Sequence, residues 1–312
     1  MKKQPIKIIF WGTPYFSAKI LEALINADFS PILTITALDK PKGRGLEKQA
    51  SEAKRMAIKH GLNVAQPQKL KEISFLEQIR VLKPDLFVVA SYGKIIPKEI
   101  LEIPKLGCLN VHPSLLPCHR GASPIQATIL SGEKETGVTI MLMDEEMDHG
   151  PILANSQFQI QNLKITFKEL EEILIAESSR LLIETLPKWI NGEIKPKPQD
   201  NNRATFCKII KKEDAKINFN ESAAVIERKI RAFNPWPGTY FEINAKKFKI
   251  LEADVLADAT PIAKKTGDIF CFNKKLAIQC REGVLIVEKI QPESKGPIGG
   301  YAFWCGYQNK LK

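Results

Sequence analysis

Asn110 and His112 stand two positions apart at the end of an apolar run, CLNVH. Side chains along a β-strand repeat with period two, so a strand here places the amide and the imidazole on the same side. Two such donors side by side suit the stabilisation of an oxygen that gains negative charge during a reaction. Asp148, near the end of the acidic loop MDEEMDHGP, supplies a carboxylate that can orient and charge-stabilise the histidine. We predict that these three residues are catalytic.

Asn110 and His112 alone fit a structural role as well as a catalytic one. In the structural role, Asn110 is a core asparagine with satisfied hydrogen bonds and His112 belongs to a His-Pro strand end. The residues that follow disfavour this structural explanation through a resemblance, because Ser-Leu-Leu-Pro at 114–117, Arg120-Gly121 and the Asp-x-Gly at 148–150 stand at a spacing similar to that of a known enzyme family. An apolar, proline-stiffened stretch also follows the histidine and is suited to form a fixed wall for a flat ring. Its residues are Ser114, Leu115, Leu116 and Pro117.

The elements that must position these residues alternate along the first half of the chain. Apolar β-favouring runs occupy 6–12, 32–38, 84–93 and 136–143, and another ends at 111–113. Helical periodicity follows residue 14 and returns at 50–61 and 166–191. This order predicts an α/β fold with a doubly wound, mostly parallel sheet. Ligands of such sheets bind beyond the carboxyl ends of the strands, where we expect all three catalytic residues.

The second half of the chain has a different texture. Residues 193–206 are rich in proline, asparagine and charge, which favours a linker. Short β-favouring runs follow at 239–243, 246–256, 267–272, 275–280 and 283–292. Five short strands predict a small antiparallel OB-like β-barrel, a fold often used on nucleic acids. We therefore predict a catalytic domain over 1–192, a linker over 193–206 and a C-terminal domain over 207–312.

The charge of the chain favours an anionic partner. Its net charge is +11, and from Thr205 onward 19 lysines and arginines stand against 12 acidic residues, so this part carries 7 of the excess charges. A basic β-domain joined to an α/β domain predicts an enzyme that binds a nucleic acid. There is no apolar run of about 18 residues and no signal-peptide cleavage site, so we expect a cytoplasmic enzyme without membrane contact.

The six cysteines contain no Cys-x-x-Cys pair. In a cytosolic chain this predicts reduced, mostly buried thiols rather than disulfides or a zinc site. Cys118 lies in the expected active-site loop, where we interpret it as a small apolar residue rather than a nucleophile. No metal is expected.

These motifs, taken in order, resemble the formyltetrahydrofolate-dependent formyltransferases. The likeness rests on Asn-x-His-Pro-Ser-Leu-Leu-Pro at 110–117, Asp-x-Gly-Pro at 148–151 and Phe-x-Gly-Thr-Pro-x-Phe at 10–16. In the second half, 211–219 and 228–238 resemble the family's C-terminal segments, and a Pro-Trp-Pro-Gly turn there is expected to bury Trp236. The resemblance covers essentially the whole chain. The pair Cys118-His119 departs from it, because the family more often has a basic and then an aromatic residue there.

The resemblance implies an activity and its partners. It implies a Rossmann-like formyltransferase fold and transfer of the formyl group of 10-formyltetrahydrofolate to the α-amine of initiator methionyl-tRNA. No metal is required, because the donor is already activated, and we expect a monomer, which fits a clamp of two domains. The resemblance also implies that the Ser-Leu-Leu-Pro stretch lies in the tetrahydrofolate site.

Two groups of basic residues are candidates for tRNA contacts. The loop 39–45 is basic and glycine-rich, which suits either a solvated surface or a phosphate backbone. In the resembled family an insertion here contacts the acceptor arm of tRNA, which implies such contacts for Lys42 and Arg44. Arg228, Lys229 and Arg231, on one short helix, form either a solvated face or further phosphate contacts.

Two other functions share these motifs. Glycinamide ribonucleotide formyltransferases, sugar-nucleotide formyltransferases and formyltetrahydrofolate hydrolases resemble the catalytic half, but the small-substrate members have no use for a basic C-terminal domain. A non-enzymatic RNA-binding protein on a former catalytic scaffold is the second alternative. The joint presence of Asn110, His112 and Asp148 argues against it.

Overall fold

The computed structural model describes residues 6–42, 47–256 and 264–310, which separate into two compact units. The first unit contains the residues up to Pro124 together with Glu135–Gln159 and Glu171–Lys208. The second unit contains Ile125–Lys134, Ile160–Leu170 and the residues from Ile209 onward.

The elements that precede residue 208 are mostly short. In chain order the strands are β1 (Ile8–Gly12), β2 (Leu33–Ile35), β3 (Lys40–Lys42), β4 (Glu47–Gln49), β5 (Val64–Ala65), β6 (Leu86–Ala90), β7 (Cys108–His112), β8 (Arg120–Gly121), β9 (Glu135–Leu142), β10 (Ile152–Gln159) and β11 (Phe206–Cys207). The helices are α1 (Tyr15–Asn26), α2 (Glu52–Lys59), α3 (Ile73–Leu82), α4 (Lys98–Leu101), α5 (Pro124–Ser131) and α6 (Phe167–Ile190). A 3₁₀ turn spans Asn201–Arg203.

The first unit is built on a seven-stranded sheet of order β10-β9-β7-β6-β1-β2-β5. The five strands from β7 to β5 run parallel, whereas β9 is antiparallel to β7 and β10 is antiparallel to β9. Every residue of β1, β6 and β7 is buried, as expected of parallel strands that are covered on both faces. The prediction of a doubly wound, mostly parallel sheet is confirmed.

Strand β10 is an element that the sequence pattern does not predict. Its sequence, ILANSQFQ, mixes polar and apolar residues, and the strand forms the edge of the sheet, where its residues are exposed or half-buried. An edge strand needs no continuous apolar run, so the signal that identifies the central strands is missing here.

The second unit contains an antiparallel sheet. Its strands are β12 (Tyr240–Ile243), β13 (Lys246–Val255), β14 (Ile269–Phe272), β15 (Lys275–Gln279), β16 (Val284–Pro292) and β17 (Ile298–Gly299), and its helices are α7 (Ala223–Phe233) and α8 (Gly300–Tyr307). The strand order is β12-β13-β16-β15-β14, with β17 paired to β16. Each of the five predicted runs contains one strand, and the OB-like fold class is confirmed.

Aromatic side chains fill the core of the second unit. The rings of Phe241 and Phe248 stack with centroids 5.5 Å apart, and Phe303 meets Phe248 edge-on at 5.3 Å. Trp236 is not part of this core, because 53% of it is exposed. The expectation that the Pro-Trp-Pro-Gly turn buries its indole is therefore wrong. The turn lies at the surface, and the neighbouring Phe233 is the aromatic residue that is buried.

The cysteines differ from the predicted pattern. Cys108 and Cys280 are buried, but Cys271 and Cys305 are exposed, so the expectation of mostly buried thiols is wrong. Cys271 alternates with the buried Phe270 along β14, which places the thiol on the outer side of the strand. In the part of the chain that the structure describes, none of the helices combines the length and the hydropathy needed to cross a bilayer.

Candidate active site

Strand β7 positions the first two predicted catalytic residues. Asn110 pairs with Val89 of β6 on one side and with Met141 of β9 on the other, so it sits in the middle of the sheet. His112 is the last residue of β7. Both side chains are buried, with 8% of Asn110 and 4% of His112 exposed. A rigid strand with neighbours on both sides fixes the two groups in register.

The carboxylate of Asp148 joins these two residues. Asn110 Nδ2 donates to Asp148 Oδ1 at 2.9 Å, and the backbone N–H of Gly121 donates to Asp148 Oδ2 at 2.9 Å. His112 Nδ1 lies 3.7 Å from the same Oδ2, which is an ion-pair distance rather than a hydrogen bond. The structure therefore brings together the three residues predicted from the sequence, although Asn110 and Asp148 are 38 positions apart along the chain.

The loop that carries Asp148 takes a different course from the one expected. Strand β9 runs antiparallel to β7, so its end at Leu142 pairs with Leu109 near the start of β7. Asp148 thus follows a strand whose carboxyl end points away from His112, and its side chain reaches the carboxyl end of β7 only because the loop returns. The loop turns back along β7. A Cβ on Gly150 would lie 1.9 Å from the carbonyl oxygen of Leu142, so only glycine permits this tight return.

Backbone contacts fix the ring of His112. Its Nε2 lies 3.0 Å from the carbonyl oxygen of His119, and because a carbonyl only accepts, this nitrogen carries a proton. His119 has a φ of +59°, a left-handed conformation uncommon for histidine, and its N–H donates to the Thr205 hydroxyl at 2.8 Å. Thr205 lies in the predicted linker. The imidazole is therefore held between the His119 carbonyl and Asp148.

The thiol of Cys207 supports the same carbonyl. Its Sγ lies 3.4 Å from the carbonyl oxygen of His119 and accepts from the Ser123 N–H at 3.4 Å. Burial is the main cause that raises the pKa of this thiol, and the Asp148 carboxylate raises it further. The protonated thiol is therefore a donor toward the His119 carbonyl. It is a structural neighbour of the site, and not a nucleophile.

The Ser-Leu-Leu-Pro stretch is anchored by strand β9. The Thr139 hydroxyl accepts from Leu116 N at 3.1 Å and donates to the carbonyl oxygen of Ser114 at 2.7 Å. Ser114 and Leu116 are buried, whereas Leu115 and Pro117 are half-buried. The stretch is therefore a fixed wall, and Leu115 and Pro117 are its more accessible members.

Arg120 is a buried residue whose partners the sequence analysis missed. The residue is 4% exposed, and its guanidinium donates to Gln199 Oε1 at 2.8 and 3.1 Å and to Asn201 Oδ1 at 2.7 Å. Its backbone N–H donates to the carbonyl of Thr205 as β8 pairs with β11. The stretch PQDNN contains three neutral amide side chains, which in retrospect is the signal of a hydrogen-bonding segment rather than of a solvated linker.

The Gly-Thr-Pro turn after β1 closes the neighbouring strand end. Thr13 N donates to Ser17 Oγ at 3.1 Å, and its hydroxyl donates to the carbonyl of Tyr92 at 3.1 Å. A Cβ on Gly12 would lie 2.9 Å from the carbonyl oxygen of Ala90. The glycine thus allows β1 and β6 to end side by side, a structural role.

Comparisons with known proteins identify the family. A family model described as "Formyl transferase" matches residues 6–186, and one described as "Formyl transferase, C-terminal domain" matches 209–308. A methionyl-tRNA formyltransferase of Thermodesulfovibrio yellowstonii is 44% identical over 289 residues, which is 92% of each chain. The chain belongs to the methionyl-tRNA formyltransferase family. The two family models follow one another along the chain.

Two solved structures share the fold. The N-formyltransferase from Helicobacter canadensis, in complex with folinic acid and dTDP-3-aminofucose, superposes with a TM-score of 0.66 at 21% identity, covering 92% of this chain and 99% of that one. HypX from Aquifex aeolicus superposes with a TM-score of 0.63 at 16% identity, covering 99% of this chain. The chain spans about half the length of HypX, 50%. At these identities the likeness shows the fold alone.

The residues expected to contact tRNA fall in different surroundings. Arg44 and the side chain of Lys42 lie outside the described residues. In α7, Arg231 is committed to other partners, because its guanidinium binds both carboxylate oxygens of Glu227 at 2.6 and 2.9 Å and the carbonyl of Ile165 at 2.7 Å. Its side chain is only 12% exposed. A phosphate contact by Arg231 would require these bonds to break.

The other two cations of α7 are half-buried and have fewer hydrogen-bond partners than Arg231 in the described part of the chain. Lys229 Nζ donates only to a backbone carbonyl in the described part of the chain, that of Lys216 at 3.2 Å. Arg228 is half-buried and lies against Gly132, where a Cβ would come within 3.0 Å of its Nη1. Of the three cations of α7, Arg228 and Lys229 are therefore the two that could contact a phosphate without breaking an ion pair.

A cavity of about 870 Å³ lies elsewhere in the first unit. Its lining is largely charged and includes Lys7, Arg80, Asp85 and Glu102, which precede or flank the amino ends of the central strands. Asn110, His112 and Asp148 are not among its lining residues, and the ligands of such sheets bind at the other end of the strands. Among the described residues, no group of three or more His, Cys, Asp or Glu side chains is arranged to hold a metal ion.

Proposed function

We propose that Asn110, His112 and Asp148 carry out the reaction of this family, the transfer of the formyl group of 10-formyltetrahydrofolate to the α-amino group of methionyl-tRNA, which gives N-formylmethionyl-tRNA for translation initiation. These roles are supported by the contacts of Asp148, whose carboxylate accepts a hydrogen bond from Asn110 and faces His112. The folate brings the formyl group already activated, so the protein must position it and stabilise charge.

The reaction exchanges one carbon–nitrogen bond for another. The α-amine nitrogen bonds to the formyl carbon, and the bond from that carbon to N10 of the folate breaks. The amine loses one proton and N10 gains one, so no oxidant or reductant is required. Negative charge develops on the formyl oxygen during the attack, and a preorganised donor stabilises that charge more than it stabilises the ground state.

Asn110 and His112 supply this stabilisation. Only one of the two Nδ2 protons of Asn110 is used on Asp148, so the second is available to the formyl oxygen. His112 has one proton on Nε2, toward the His119 carbonyl, and a second proton on Nδ1 would face Asp148. In that form the imidazolium places a positive charge within the buried site, where charges act with little screening.

Asp148 orients both donors and receives the proton of the amine, directly or through water. Its two oxygens each accept one of the hydrogen bonds from Asn110 and Gly121, and a carboxylate has further lone pairs for a third partner. The carboxylate therefore keeps a lone pair for the approaching amine, and it can accept a proton without moving.

The folate binds against the wall formed by Ser114, Leu115, Leu116 and Pro117. The chemistry of this wall fits a flat ring, because its backbone is fixed by Thr139 and its partly accessible members are apolar. The adjacent Cys118-His119 pair differs from the residues that the family more often has there. The folate contacts beyond Pro117 therefore differ in this chain from those of its relatives.

The acceptor that we assign is the initiator methionyl-tRNA, bound by a monomer in the cytoplasm. The excess positive charge after Thr205 suits a polyanion, and charged tRNA is found in that compartment. Lys42, Arg44, Arg228 and Lys229 contact its phosphates, whereas Arg231 supports α7 through Glu227.

A formyl-transfer assay with labelled 10-formyltetrahydrofolate tests the function. It offers methionyl-tRNA, glycinamide ribonucleotide, an amino-sugar nucleotide or no acceptor in parallel reactions. We expect label on methionyl-tRNA only. Label on a small acceptor, or release as formate, would retain the three catalytic residues but overturn the acceptor.

We expect tRNA binding to weaken steeply with salt, because each phosphate contact releases counterions. Arg228→Met and Lys229→Met should each reduce the slope of log Kd against log salt by about 1. Lys105→Met, at the amino end of β7, removes the same charge far from the catalytic end of the strand and is the matched control. Filter binding from low to physiological salt measures the Kd for methionyl-tRNA in each variant. A Kd that does not change with salt, or a slope that is identical in all variants, contradicts the assignment.

A further inference from the structure

Gln199 makes four hydrogen bonds around the catalytic carboxylate, although it lies in the predicted linker. Its Nε2 donates to the carbonyl oxygen of Asp148 at 2.9 Å and to that of Gly150 at 2.7 Å. Its Oε1 accepts from the Arg120 guanidinium at 2.8 and 3.1 Å. One planar amide thus connects two loops that both belong to the first unit.

The orientation of this amide follows from its partners. A guanidinium only donates and a backbone carbonyl only accepts, so the oxygen of Gln199 must face Arg120 and the nitrogen must face the Asp148 loop. Glutamine is the residue of this length that offers two donors and an acceptor on one group. Glutamate would keep the acceptor and place a negative charge against two carbonyl oxygens.

The bonds of Gln199 control both segments that position the carboxylate of Asp148. One segment is the backbone of Asp148 itself, which has a φ of +51°, a left-handed conformation uncommon outside glycine. The other is the Arg120-Gly121 peptide, because the Gly121 N–H donates to Asp148 Oδ2. Asn201 holds Arg120 from its other side, at 2.7 Å. Strained backbone of this kind persists only where its surroundings fix it.

We propose that Gln199 is a positioning residue for formyl transfer, which acts by holding Asp148 against Asn110 and His112. The proposal rests on the catalytic role proposed for Asp148. Gln199 does not touch the reacting atoms. A residue that holds a catalytic group in place contributes to kcat, because small displacements of a reacting group slow the chemical step strongly.

Gln199→Glu and Gln199→Met test the proposal in the full-length protein. Glutamate has the same shape and retains the contact with Arg120, whereas methionine removes both sets of bonds. We expect kcat to fall between about 10-fold and about 10²-fold in each, with unchanged KM for methionyl-tRNA and for 10-formyltetrahydrofolate. Asn202→Ala, an exposed substitution in the same segment, is expected to leave kcat unchanged.

A double-mutant cycle separates this role from a merely structural one. If Gln199 acts through Asp148, then Gln199→Glu should have little further effect on the single-turnover rate in the Asp148→Asn background. An equal fold-loss in both backgrounds, or a normal kcat in Gln199→Glu, overturns the proposal. The proposal is also overturned if the Tm of Gln199→Glu falls so far that the fraction of unfolded enzyme at the assay temperature explains the lost rate.

Failure of the proposed function has a different signature. If the unmodified protein transfers no formyl group to methionyl-tRNA, or if Asp148→Asn keeps the full rate, the role of Asp148 is refuted and the proposal for Gln199 falls with it. If the unmodified protein is active and Asp148→Asn is impaired, only the cycle decides whether Gln199 is a positioning residue.

Discussion

His112→Ala is expected to lower kcat for formyl transfer on the order of 10²-fold to 10³-fold, the usual loss when one preorganised group that stabilises a developing oxyanion is removed. The ring is buried and is held between the His119 carbonyl and Asp148. Its removal therefore takes away a preorganised group that water cannot replace at the same position. The Kd for methionyl-tRNA should stay near that of the unmodified protein, because the imidazole is not among the surface cations.

Asn110→Ala and Asp148→Asn should give losses of the same order, and their effects should not multiply with that of His112→Ala. The three side chains form one connected group through Asp148, so removing any member disables the others. His60→Ala, an exposed histidine that caps α2, is the matched control and should leave kcat unchanged. Weak tRNA binding with a normal rate of chemistry, measured by filter binding and single-turnover transfer, would falsify the assigned roles.

Gly121→Ala is expected to disable the site without changing any catalytic side chain. Gly121 has a φ of +121°, and a Cβ there would lie 2.2 Å from the carbonyl oxygen of Cys207. The backbone must shift, which moves the N–H that donates to Asp148 Oδ2. We expect kcat to fall on the order of 10²-fold. The strain should lower the free energy of unfolding by about 1–3 kcal/mol.

Gly192→Ala is the control for backbone strain alone. Gly192 also has a positive φ, +74°, but a Cβ there would meet nothing within 4 Å. It follows helix α6, far along the chain from the site. We expect a loss of about 1–2 kcal/mol in the free energy of unfolding and an unchanged kcat. Equal losses of kcat in the two variants would show that strain, and not the displaced N–H, slows Gly121→Ala; thermal unfolding and steady-state rates provide both numbers.

The parts of the structure that the sequence predicts are those governed by local physics. The central strands β1, β6 and β7 are continuous apolar runs, and their burial makes the pattern unambiguous. Period-two alternation then places Asn110 and His112 together without knowledge of any other residue. The five β-runs of the second unit are equally local, because turn residues separate them.

The parts that the sequence does not predict depend on pairs of residues distant along the chain. The course of the Asp148 loop depends on β9 running antiparallel to β7, which no local pattern specifies. The role of Gln199 depends on partners 79 and 51 residues away. Composition alone does not distinguish a linker from a folded segment there, because proline, asparagine and charge are typical both of solvated segments and of segments rich in hydrogen bonds. Trp236 is a third example, since nothing in its turn signals whether the core has room for it.

The division of the chain into two units restricts how the protein can be dissected or recombined. The second unit draws on three separate segments, so the polypeptide passes from one unit to the other five times. Removal of everything after Gly192 would leave 125–134 and 160–170 without the rest of their unit, and would also delete Gln199 and Thr205. A chimera that exchanges the second unit with that of a homologue must therefore replace all three segments and retain 193–208 from the catalytic parent.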